Sequence, residues 1–130
     1  MRTILAILFI SSAASIGTGQ TPNLFGMTTI TSPASSLGMS PTMGIMDEGQ
    51  FPYISTVSLG WIYVDETSTP ERIHFWQEQL GWVYSRTEIF PTVYLYKYGE
   101  WVLLDLTDAS QTKYFSFNSR RWHYLKINMY

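Results

Sequence analysis

Cysteine is absent from this chain. That excludes disulfides, a thiolate nucleophile, zinc–thiolate sites and lipid attachment through an N-terminal cysteine, so the fold must hold by packing alone. Charge is scarce as well. Eight basic against ten acidic residues leave a formal −2, which supplies no basic face for neutralising phosphates, so no nucleic-acid partner is expected. The basic doublet Arg120-Arg121, beside Trp122, reads as a solvated turn. Histidine occurs only twice, as His74 and His123. Each falls at a strand position held elsewhere by apolar or aromatic residues, which favours a structural role. There is no Gly-x-Ser-x-Gly elbow and no phosphate-binding glycine loop. The four methionines Met27, Met39, Met43 and Met46 have no neighbouring His or Cys with which to hold a metal. No catalytic residue, cofactor or metal is therefore expected.

The apolar run Ile4–Ile10 is seven residues long, well short of the roughly 20 that a membrane-spanning helix needs. It follows Arg2 and precedes the small residues Ser11–Ser15, the pattern of a secretory signal peptide. We assign 1–19 to that signal, with cleavage after Ser15, Gly17 or Gly19; an uncleaved N-terminal anchor is the alternative. Residues 20–50 are uncharged until Asp47 and built from Ser, Thr, Pro, Gly and Met, so they are expected to form a flexible linker. The remainder, 51–130, is the expected folded domain, secreted or held at the cell surface.

Four tryptophans organise that domain. Trp61, Trp82, Trp101 and Trp122 recur at spacings of 21, 19 and 21 residues, opening Trp-Ile-Tyr, Trp-Val-Tyr, Trp-Val-Leu and Trp-His-Tyr. At double length, Phe51-Pro52 returns 39 residues on as Phe90-Pro91. Trp61, Thr67, Phe75 and Trp82 return 40 residues on as Trp101, Thr107, Phe115 and Trp122. Fixed spacing of this kind marks tandem repeats. Each half-unit pairs an aromatic or β-branched segment with a Trp-x-Tyr segment across a turn rich in Gly, Ser or Asn. That is a β-hairpin signal. The expected fold is all-β: four tandem hairpins in two 40-residue repeats, forming a small solenoid or sheet.

Strand alternation sets the faces, placing Trp61 and Tyr63 opposite Ile62 and Val64. Stacked units then build one Trp/Tyr column, interrupted by Leu103, and one Ile/Val/Leu column. A Trp/Tyr column has two readings, a packed interior seam or an exposed stacking surface. Asp105 and Asp108, three residues apart, could serve acid/base work or bind calcium, but Asp65-Glu66 at the matching place favours a polar loop between hairpins.

Gly60-Trp61-Ile62-Tyr63, Gly81-Trp82-Val83-Tyr84 and Gly99-Glu100-Trp101-Val102-Leu103 resemble the aromatic β-hairpin (Leu-Gly-Trp-x-Tyr) repeats of secreted bacterial surface proteins, over about residues 51–127. They are similar, more weakly, to the choline- and glucan-type cell-wall-binding repeats, which hold a ligand between aromatic residues of adjacent hairpins. That resemblance implies ligand-binding roles for Trp61, Tyr63, Trp82, Tyr84, Trp101, Trp122 and Tyr124. The expected partner is a cell-wall polysaccharide or another surface polymer. The alternative is a structural repeat that self-associates through its open strand edges, with each 40-residue unit conceivable as one propeller blade.

Overall fold

In the computed structural model, which describes residues 23–29 and 37–127, every strand pairs antiparallel with its neighbours in sequence. Among the described residues, eleven strands run in order through one open sheet. They are β1 (Thr28–Thr29), β2 (Leu37–Ser40), β3 (Gly44–Gln50), β4 (Tyr53–Thr56), β5 (Gly60–Val64), β6 (Ile73–Gln77), β7 (Gly81–Ser85), β8 (Thr92–Leu95), β9 (Glu100–Asp105), β10 (Lys113–Ser116) and β11 (Arg121–Tyr124). A short 3-10 turn, Ala109–Gln111, links β9 to β10. The eight strands and four hairpins expected after residue 51 are β4 to β11. The signal peptide lies outside the described residues.

The stretch expected to be a linker needs correction, because 37–50 forms β2 and β3 and its side chains reach the core. Met43 and Met46 are fully buried, and Leu24 and Phe25 further upstream are buried as well. The alternation Leu37-Gly38-Met39-Ser40, paired with Ile45 and Met46, is a strand pattern written in Met and Ser rather than in Trp and Tyr. Its turn residues give it the composition of a linker. The folded domain therefore includes residues upstream of residue 51.

Strand alternation sorts the side chains as expected. Ile54, Ile62, Val64, Ile73, Phe75, Val83, Val93, Leu95, Val102 and Leu104 face inward and are buried. Burying each such side chain contributes roughly 1.5–3 kcal/mol. A single sheet can bury one face so fully only by rolling onto itself, and contacts distant in sequence show that it does. The Thr112 hydroxyl donates to the Ser58 carbonyl. The Thr87 hydroxyl donates to the Leu24 carbonyl (2.8 Å). The Gln79 carboxamide accepts from the Lys126 amide and donates to the Lys126 carbonyl. Phe25, Phe75 and Phe90 meet edge-on inside the roll, at ring separations of 5.1–6.5 Å.

The hairpin tips follow a rule invisible in the Trp spacing. An inward polar side chain ends the first strand and accepts the amide three residues on: Ser40 from Met43 (3.1 Å), Thr56 from Leu59 (2.9 Å), Gln77 from Leu80 (2.9 Å) and Ser116 from Ser119 (3.1 Å). In the first three tips the donor residue is itself a buried apolar plug. A glycine with positive φ follows it: Gly44, Gly60 and Gly81. The β8–β9 and β10–β11 tips are one residue longer. At the β8–β9 tip Leu95 closes the turn through its carbonyl, and at the β10–β11 tip Arg120 takes the positive φ. Both Phe51-Pro52 and Phe90-Pro91 are cis.

The pairing also corrects one expected equivalence. Phe75 is buried and lies opposite Val83. Its inward counterpart in the later hairpin is Tyr114, opposite His123, whereas Phe115 faces outward opposite Trp122. The shorter β9–β10 connection shifts the match from 40 residues to 39.

Candidate functional site

The outer face of the roll carries the aromatic residues. Trp61, Trp82, Trp101 and Trp122 are 50, 43, 41 and 44 % exposed, so the interior-seam reading of the column is corrected. The reason is size: the interior of a rolled sheet is filled by Ile, Val and Leu, with Phe75 the largest fully buried side chain. The indoles stand on the side with room for them.

Cross-strand register turns these residues into stepped rows rather than one column. Tyr53, Tyr63, Trp76 and Trp82 lie abreast on β4 to β7. His74, Tyr84, Tyr94 and Trp101 lie abreast on β6 to β9. Leu103, Phe115 and Trp122 continue on β9 to β11. Neighbouring rings meet edge-on at 5.1 Å for Tyr53–Tyr63, 6.1 Å for Tyr63–Trp82, 6.1 Å for Tyr84–Trp101 and 5.4 Å for Tyr94–Trp101. Such contacts are worth about 0.5–1.5 kcal/mol apiece beyond area burial, enough to hold the rings upright without burying them.

Of the residues singled out in the sequence, Tyr63 and Trp82 come together, as do Tyr84 and Trp101. Trp61 stands opposite Ser55. Trp122 packs on Phe115 at 5.3 Å and beneath the Lys113 ammonium at 4.9 Å, with Tyr124 at 5.6 Å from the same ammonium. The Trp spacing drew attention to second strands only. It passed over Tyr53, His74, Trp76, Tyr94 and Phe115, which stand on first strands directly across from second-strand aromatic residues. The signal for them is alternation, in His74-Phe75-Trp76 and Tyr94-Leu95-Tyr96.

A recess of about 430 Å³ opens among Asp65, His74, Trp82 and Tyr96. The Asp65 carboxylate accepts the Thr67 amide (3.2 Å). The His74 Nε2 lies 3.0 Å from the Tyr96 hydroxyl, and the His74 ring stacks on that of Tyr96 (6.0 Å) and leans on Tyr84 (5.3 Å).

The paired carboxylates after β9 are engaged by their own loop. Asp105 accepts from the Thr107 hydroxyl (2.6 Å) and amide (3.1 Å), and these bonds, with the nearby Lys113, hold its pKa below the ordinary value. Asp108 caps the 3-10 turn by accepting from the Ser110 hydroxyl and amide, which lower its pKa likewise. Among the described residues no group of three or more His, Asp or Glu is placed to hold a metal. Nor, among those residues, is any helix long and apolar enough to cross a membrane. No protein family, curated protein or solved structure matches the chain.

Proposed function

We propose that this chain is a non-catalytic binding module, secreted or held at the cell surface, whose outward aromatic rows stack on a surface polymer such as cell-wall glycan. It is built from two 40-residue hairpin repeats, a reading supported by the recurring positive-φ tip residues. The observation that carries the function is the placement of Trp61, Trp76, Trp82, Trp101 and Trp122 on one face, each roughly half exposed and none needed to fill the core. An apolar patch kept on a surface marks an interaction site. Upright rings in stepped rows suit the flat faces of successive sugars. Each such contact is weak, so affinity grows with the number of rings engaged along a polymer.

A second reading, assembly through strand edges, is favoured by one observation. All four residues of β11, the last strand of an open sheet, are exposed, and an uncovered edge invites another strand.

The test is a pull-down of the full chain on insoluble polysaccharides and cell-wall material, with Trp61→Ala and Trp101→Ala alongside. Loss of retention with the near-UV circular dichroism kept supports the binding module. Retention by no glycan, with a concentration-dependent oligomer in sedimentation, supports assembly instead.

A further inference from the structure

Two places on the outer face share an aspartate turn, a tryptophan and a tyrosine, and differ at the residue that faces the aspartate. In the first, Asp65 pairs with His74 (Asp65 amide to His74 carbonyl, 2.9 Å), His74 lies opposite Tyr84, and Trp82 stands opposite Trp76. In the second, Asp105 lies opposite Lys113, Lys113 opposite Tyr124, and Phe115 opposite Trp122. Both aspartates sit in the same turn, accepting the amide two residues on, from Thr67 and Thr107. Strand for strand, Asp65, His74, Trp82 and Tyr84 correspond to Asp105, Lys113, Trp122 and Tyr124.

The second place is occupied by the protein itself. The Lys113 ammonium lies 3.8 Å from the Asp105 carboxylate, 4.9 Å from the centre of the Trp122 ring and 5.6 Å from that of Tyr124. A carboxylate on one side and π faces on the other are what an alkylammonium group needs once it gives up part of its water. In the first place the lysine is replaced by histidine. Its shorter ring turns to the Tyr96 hydroxyl and leaves open the recess walled by Asp65, Trp82 and Tyr96. Among the described residues no cationic side chain lies within ion-pair distance of Asp65.

We propose that the Asp65–His74–Trp82–Tyr96 recess binds an alkylammonium cation from outside, in the place that Lys113 fills from within at the second site. Asp65 supplies the counter-charge, Trp82 and Tyr96 the π walls, and the His74–Tyr96 hydrogen bond holds those walls apart. The inference does not depend on the glycan reading, since it concerns one recess and a charged ligand rather than the length of the aromatic rows.

The full chain is titrated with n-butylammonium, the counterpart of a lysine side chain, and with tetramethylammonium, the counterpart of a quaternary head group. Tryptophan fluorescence and indole N–H shifts are followed, with n-pentanol as the neutral control. Saturable binding of at least one cation and none of the alcohol is expected, and the preferred cation identifies primary or quaternary ligands as the source. Removing the counter-charge in Asp65→Asn should weaken binding about tenfold, the order expected for one partly screened charge near 4 Å. His74→Lys, which reproduces the second site, should abolish binding with near-UV circular dichroism retained. Equal binding of n-pentanol, an unchanged affinity in Asp65→Asn, or no saturable response to either cation would overturn the proposal. Should His74→Lys misfold, the Asp65→Asn and alcohol comparisons still decide it.

Discussion

The two faces of the rolled sheet use the same strands to opposite ends. Inward, Ile62, Val64, Phe75, Val83 and Val102 are fully buried, held in a space that only their volumes fill. Outward, Trp61, Trp82, Trp101 and Trp122 are the bulkiest side chains of their strands and remain about half in solvent. Hydrophobicity alone predicts the reverse, with the largest apolar groups at the centre. What decides is curvature: rolling the sheet crowds its inner face and spreads its outer one, so β-branched residues pack inside and indoles outside. The outer aromatic residues are thereby free to serve something other than stability.

That contrast can be broken most forcefully from the N-terminal side. Leu24, Phe25, Met43 and Met46 line the same interior as Phe75 and Phe90, so a chain truncated to 51–130 should lose cooperative unfolding. A flexible linker would leave the denaturation midpoint where it was. Within the intact chain, Phe75→Ala should cost about 3–5 kcal/mol, the range for an aromatic side chain removed from a packed core. Trp82→Ala, on the other face of the adjacent strand, should cost about 1 kcal/mol, its share of ring contacts. Paired urea titrations check both. Equal losses would mean that the outer rows are structural and would remove the main support for a binding surface.

The tips offer a finer test. Thr56→Val keeps the volume of a buried residue but leaves the Leu59 amide without its acceptor, an expected cost of about 1–3 kcal/mol. Gly81→Ala forces a side chain onto a backbone at φ +74°, with an expected cost of about 1–2 kcal/mol. Neither side chain belongs to the outer rows, so polymer retention per folded molecule should be unchanged in both variants.

Much of this was legible in the residues. The Trp-x-Tyr segments and their partner segments fall on β4 to β11, and the opposition of Trp61 and Tyr63 to Ile62 and Val64 holds. Alternation and turn chemistry are local signals, so they survive reading one residue at a time. β2 and β3 were missed because Gly44-Ile45-Met46 does the work of Gly60-Trp61-Ile62 without a tryptophan, and spacing was read from tryptophan. Whether a Trp/Tyr face points in or out depends on which way the sheet rolls, and that is set by long-range contacts such as Thr112 to Ser58. The recess was missed for the same kind of reason: Asp65, His74, Trp82 and Tyr96 come from four separate stretches that only register aligns. Lys113 was passed over because a lone lysine in a strand has no meaning until Asp105 and Trp122 are beside it.

The smallest expected effect is a pH dependence at the Asp105 turn. The Asp105 pKa is lowered chiefly by the Thr107 hydroxyl, then by the Thr107 amide, with a lesser contribution from Lys113. A carboxyl whose folded pKa lies below its unfolded one adds stability above the unfolded value, about 3.9 for aspartate. That contribution is lost as pH falls through the folded value. Thr107→Val removes the hydroxyl and keeps the amide, so the Asp105 pKa should rise toward the ordinary value without reaching it. The stability gap between the parent chain and Thr107→Val should therefore be constant above about pH 5 and shrink below about pH 4, vanishing once the pH has fallen through the folded value of the parent carboxyl. A gap that persisted at low pH would show that Thr107 acts through packing rather than through the charge of Asp105.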